Sequence, residues 1–160
     1  MSVAFRRESD EEHLEPKFEL PIPSAPNLVT ATGKRLIEER IATLEAAIAA
    51  ADAADAAALD ALRRDLRYWQ TRRTTAVPTA APADGSAGFG TRVTIRLAGK
   101  TRTIAIVGDD EADPHADRLA YGAPLAHALI GAEPDDILAF NGRDAAIEVL
   151  AVEPIDPPED

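Results

Sequence analysis

The sequence predicts an α+β protein in two parts, an antiparallel helical hairpin followed by a small antiparallel sheet with one short helix. Three observations carry that expectation. Apolar residues recur twice at helical spacing between Thr30 and Thr75. A stretch of small residues with Pro and Gly, AVPTAAPADGSAG at 76–88, then breaks the pattern. From Phe89 onward the spacing changes to strand alternation and closes on an Asn-Gly turn.

In the first part, Thr30 is placed to cap a helix whose first turn contains Gly33, a residue that costs helix stability. Ile37, Ile41, Leu44 and Ile48 follow on one face. After an alanine-rich stretch, Leu59, Leu62, Leu66 and Trp69 form a second stripe, with Trp69 read as a packing residue. Two stripes joined by a short link predict a hairpin over 29–75 that turns near Ala50–Ala57. A single bent helix has the same pattern. Pro16, Pro21, Pro23 and Pro26 keep residues 1–28 from helix, so this segment reads as an extended or disordered tail. Phe18, Leu20, Ile22 and Leu28 are apolar enough to line a partner or the chain's own body.

Residues 76–88 read as a linker. Beyond it, Val93, Ile95 and Leu97 alternate with Arg92, Thr94 and Arg96, the mark of a half-buried strand, and Ile104 and Ile106 continue a second one after a Gly99-Lys100 turn. GDDEADPHAD reads as a polar loop. Pro124 and Gly131 bracket a two-turn helix. Strands are expected at Ile137–Phe140 and Ala145–Val152, joined by Asn141-Gly142, whose residues both tolerate positive φ. The sheet domain is bounded at 89–153, with an acidic tail at 154–160.

Composition narrows function. The 160 residues carry a formal net charge of −11, so the whole chain repels nucleic-acid phosphate and a free DNA reader is disfavoured. Only residues 31–75 escape the acidic balance, with eight basic and seven acidic side chains, and Arg63, Arg64, Arg67, Arg72 and Arg73 cluster in its second half. Such a cluster is either a solvated helix face or a surface for an acidic partner. The absence of cysteine excludes disulfides, iron–sulfur clusters and thiol catalysis, in keeping with the cytoplasm. No signal peptide or membrane-length apolar run is visible.

The blocks FGTRVTI at 89–95, IVGDDEADP at 106–114, APLAHALIGAEPDDIL at 123–138 and FNGRDAAIEVLAV at 140–152 resemble, in order and spacing, the C-terminal domain of the bacterial Gre-type transcription elongation factors. TATGKRLIEER at 30–40 resembles, more weakly, the start of that family's N-terminal hairpin. The resemblance implies an FKBP-like second domain that docks at the rim of the RNA polymerase secondary channel, and a hairpin that enters the channel. By resemblance Asp109, Asp110, Glu111, Asp113, Pro124 and Leu125 belong to the docking surface, and Arg63, Arg64 and Arg67 face the channel or its RNA. In cleavage-stimulating members, acidic residues at the hairpin tip hold a metal ion for the polymerase's own chemistry.

Asp52 and Asp55 are the candidates for that pair. On a helix their spacing would put both on one face; the plainer alternative is that they solvate and cap the turn. This hairpin is shorter than the usual Gre pattern by about twenty residues, or roughly 15 Å per arm at 1.5 Å per residue. Coordination at about 2 Å does not tolerate such a shortfall. The expectation is therefore a monomeric, polymerase-binding regulator rather than an enzyme. It has no cofactor, no intrinsic metal, no membrane contact and at most indirect contact with nucleic acid. Transcript-cleavage stimulation is expected to be weak or absent. The alternatives are a true cleavage factor using Asp52 and Asp55, and, in another class, an FKBP-like prolyl isomerase or chaperone, for which the second domain offers only Phe89, Tyr121 and Phe140 as pocket aromatics. His127 reads as a helix-surface residue, and the acidic loop with His115 lacks the spacing of a calcium loop.

Overall fold

The computed structural model describes residues 19–156. Thr30 takes extended backbone and its hydroxyl accepts the Gly33 N–H, starting α1 at Ala31–Ala50. Asp55 caps α2, Ala56–Thr75, by accepting the Ala58 N–H. The chain reverses between them over residues 51–55, inside the expected interval. Each arm has 20 residues, a length of about 30 Å at 1.5 Å per residue. Ile37 and Ile41 are buried on α1, in a cluster with Val29 that Leu66, Trp69 and Ala76 cover. Full burial of such an isoleucine is worth about 1.5–3 kcal/mol. Farther out, Leu44, Ile48, Leu59 and Leu62 are only half-buried, because the two helices pack chiefly on each other. Paired helices bury one stripe each and leave its rims wet.

The stretch on either side of the hairpin is paired. Leu28–Val29 (β1) runs parallel to Val77–Pro78 (β2), in register Leu28 with Val77 and Val29 with Pro78. Residues 76–88 are thus tied at one end to the hairpin base. At the other end Ala87 is buried in the second core and its carbonyl accepts the Gly131 N–H. Phe18 and the rest of 1–18 lie outside the described residues, as do residues 157–160.

The second part is a five-stranded sheet in the order β5-β4-β3-β7-β6. Its strands are β3 (Thr91–Leu97), β4 (Lys100–Val107), β5 (Arg118–Ala120), β6 (Ile137–Phe140) and β7 (Arg143–Pro154). The β6–β7 turn has Asn141 and Gly142 at φ 56° and 78°, as Asn-Gly predicts. A short helix, α3 (Pro124–Leu129), packs against β5 and β6 and buries Ala126 and Leu129 in a core with Val93, Ile95, Ile104, Ile106, Ile147 and Val149.

One expectation needs correcting: the sheet is mixed, since β5 runs parallel to β4. Within the polar loop, Asp113 caps a 3-10 turn at Pro114–Ala116, and Asp117 at φ 55° turns the chain back beside β4. At three residues, β5 is too short to display an alternation. Among the described residues no helix is long and apolar enough to cross a membrane.

Candidate functional site

The two hydrophobic clusters are separate, and a set of polar bridges links the hairpin base to the sheet domain. Its socket is the loop after β4. The Thr30 hydroxyl, which caps α1, also donates to Glu111 Oε2 at 2.6 Å, and Glu111 is buried. A Cβ on Gly33 would lie 2.9 Å from that same oxygen, which explains a glycine in the first turn of α1. Gly108 is set by a second close approach, since a Cβ there would overlap the Leu28 carbonyl oxygen. At the open side of the joint, the Ala31 N–H donates to Asp156 Oδ2 at 3.1 Å.

At the other arm stands Arg72, 1 % exposed. Its Nε donates to Asp110 Oδ2 at 2.6 Å and its Nη2 to Asn27 Oδ1 at 2.7 Å. Asn27 in turn donates to the Arg72 carbonyl and to Thr75. The Tyr68 hydroxyl donates to the other oxygen of Asp110. Burial, reinforced by that bond and by the Asp110 charge, pushes the Tyr68 phenol up to about 12. Asp109 Oδ2 is buried without a hydrogen bond, 4.0 Å from Nη2 of Arg72. Tyr121 donates to the Pro26 carbonyl and packs edge-to-face on Phe89; its phenol is raised by burial and by the Asp109 charge.

The residues expected to dock are therefore split. Asp110 and Glu111 face inward, onto the hairpin. Asp109 is half-buried at the rim. Asp113 caps the 3-10 turn and lies 3.6 Å from Arg118. Pro124 is exposed at the first position of α3, while Leu125 leans on the core. His115 and His127 are exposed.

Asp52 and Asp55 do not share a helix face, because the turn falls on them. Asp52 accepts the Ala54 N–H and Asp55 the Ala58 N–H. Two carboxylates each engaged by backbone make a poor metal site by themselves, and among the described residues no three His, Cys, Asp or Glu side chains are grouped to hold an ion. On the basic face, Arg67 is gripped by Glu19 through Nε at 3.0 Å and Nη2 at 2.5 Å, which lowers the Glu19 carboxyl. Arg64 and Asp60 line the same small hollow, and Arg63 is exposed. The three aromatics do not form one pocket. Phe89 and Tyr121 meet edge-to-face near the Thr91 end of β3, whereas Phe140 lines a groove of about 710 Å³ at the Leu97 end.

Sequence reading missed Asn27, Tyr68 and Arg72 as parts of the joint. A signal for Arg72 existed: it continues the stripe of Leu66 and Trp69 by three residues. A charged residue on an apolar stripe calls for a buried partner.

A family model described as "Transcription elongation factor, GreA/GreB, C-term" matches residues 82–154. The transcription elongation factor GreA of Ralstonia nicotianae is 33 % identical over 120 residues, 72 % of this chain and 62 % of that protein. That of Legionella pneumophila is 39 % identical over 69 residues, 42 % of this chain and 43 % of that protein. The chain thus spans about half the length of the curated relatives it matches. Two solved structures are also similar. GreA factor homolog 1 (Gfh1) of Thermus thermophilus shows 15 % identity at TM-score 0.37, over 81 % of this chain and 99 % of that one. Gfh1 of Thermus aquaticus shows 17 % at 0.37, over 80 % and 99 %.

Proposed function

We propose that this chain, whose residues 82–154 match the C-terminal family model of the GreA/GreB transcription elongation factors and which is 33 % identical over 120 residues to one GreA, acts as a factor of that kind and binds RNA polymerase at the secondary channel. In this reading it regulates elongation without strongly stimulating transcript cleavage. The sheet domain docks through the loop after β4 and the start of α3, and the hairpin points into the channel. The observation that carries the reading is a docking-type domain fixed to a hairpin with arms of only 20 residues. Its two tip acids are both engaged in capping the turn. An ion held near a polymerase active centre needs ligand oxygens within about 2 Å, and turn-capping carboxylates on a short arm are poorly placed for that. The factor itself performs no chemistry; it positions groups inside a larger enzyme.

Capture by immobilised core RNA polymerase tests the binding claim, and failure to bind would overturn it. RNA cleavage in stalled elongation complexes tests the rest. Little stimulation by the wild type is expected, with no further loss in Asp52→Ala/Asp55→Ala. Efficient cleavage that the double variant abolishes would favour the true cleavage factor. The prolyl isomerase alternative is disfavoured by the separation of Phe89 and Tyr121 from Phe140, and turnover of a prolyl peptide would revive it.

A further inference from the structure

We propose that Arg72 is a positioning residue that fixes the direction of the hairpin relative to the sheet domain, so that the loop Asp109–Glu111 is at once docking element and hairpin socket. The docking half of this statement rests on the function proposed above; the socket half does not.

Val29, Ile37 and Ile41, with Leu66, Trp69 and Ala76, form one apolar cluster, and the sheet core forms another. An apolar seam between them would hold the parts together while tolerating small rotations, since hydrophobic attraction has no direction. The seam is instead bridged by Thr30–Glu111, Tyr68–Asp110, Arg72–Asp110, Ala31–Asp156 and Tyr121–Pro26. Of these, Arg72 alone is buried, charged and bound in two directions, one to the loop after β4 and one to Asn27 beside β1. A planar fork satisfied at two angles admits one orientation. A buried ion pair is a weak source of stability relative to apolar packing, and its better-supported role is to specify geometry. The consequence is mechanical. A partner that pulls on Asp109 or Asp110 also moves the carboxylates against which α2 is braced.

The chain contains no cysteine, so two can be introduced and labelled uniquely. Ala53→Cys in the hairpin turn and Ala139→Cys in β6 are both exposed positions. Spin labels there report the tip-to-domain distance in the free, full chain. One narrow distance peak is expected in the parent. Arg72→Met should lose that single peak, giving a broad or displaced distribution with helix content retained. Tyr68→Phe should give a lesser broadening, and Arg72→Lys, which keeps charge but not the fork, should not restore the narrow peak. If Arg72→Met fails to fold, Tyr68→Phe and Asp110→Asn decide the matter. An unchanged narrow peak in the folded variants overturns the proposal. In stalled complexes saturated with factor, Arg72→Met should also lose the wild-type effect on transcription. If the wild type does not bind polymerase, the docking reading fails while the distance result stands or falls by itself.

Discussion

Replacing Gly33 by alanine should destabilise this protein, against the rule for glycines in helices. Gly33 lies in the first turn of α1 with ordinary helical backbone, so alanine would by propensity alone gain up to about 1 kcal/mol. The new Cβ, however, would sit 2.9 Å from Glu111 Oε2, the atom that accepts the Thr30 hydroxyl at 2.6 Å. Glu111 is 8 % exposed, and moving its carboxylate away from the new Cβ draws it off the Thr30 hydroxyl. Losing a hydrogen bond to a charged, buried acceptor costs about 1.5–3 kcal/mol. The loss exceeds the gain, leaving a net destabilisation of about 0.5–2 kcal/mol. Urea unfolding followed by helical circular dichroism measures it, with the midpoint falling and the slope unchanged. The control is a double-mutant cycle: in a Glu111→Ala background the same substitution should become neutral or stabilising. A Gly33→Ala protein more stable than wild type, or an effect independent of Glu111, would refute the packing account of this joint.

Three other outcomes follow from the geometry. Asp55→Ala should cost about 1 kcal/mol, the usual loss for a capping side chain, whereas Asp55→Ser should be nearly neutral; urea midpoints distinguish them, and equal losses would argue against a cap. Gly108→Ala should destabilise by about 1–3 kcal/mol, because its Cβ meets the Leu28 carbonyl rather than a movable side chain; a thermal midpoint equal to wild type would contradict this. Tyr68 is raised from 10.0 to about 12, so the fold favours the protonated phenol. Its contribution is fully present below pH 10 and is lost as pH rises towards 12. Phenolate absorbance should show Tyr68 titrating above the free phenol, and Tyr68→Phe should flatten the alkaline fall in stability. Tyr121 is displaced in the same direction and serves as the remaining signal in that variant.

The sequence alone marked the two hairpin helices, the short helix and strands β3, β4, β6 and β7, in order. Helical spacing placed Ile37 and Ile41, strand alternation placed Val93 and Ile95, and Asn141-Gly142 placed the closing turn; each is a local property, written in neighbouring residues. The two tip aspartates were legible as a pair, but whether they lay on a helix face or in the turn depended on where the helix broke, and an alanine-rich stretch without Gly or Pro leaves that unmarked. The tertiary structure alone decided the rest. The three-residue β5 is held parallel to β4 by a crossover that no periodicity records. Asp110 and Glu111 read as solvent-facing members of an acidic loop, yet they turn inward because Arg72 and Thr30, 38 and 81 residues away in the chain, arrive beside them. A carboxylate carries no sign in its own neighbourhood of which distant donor will claim it, since that pairing exists only after the two parts have packed.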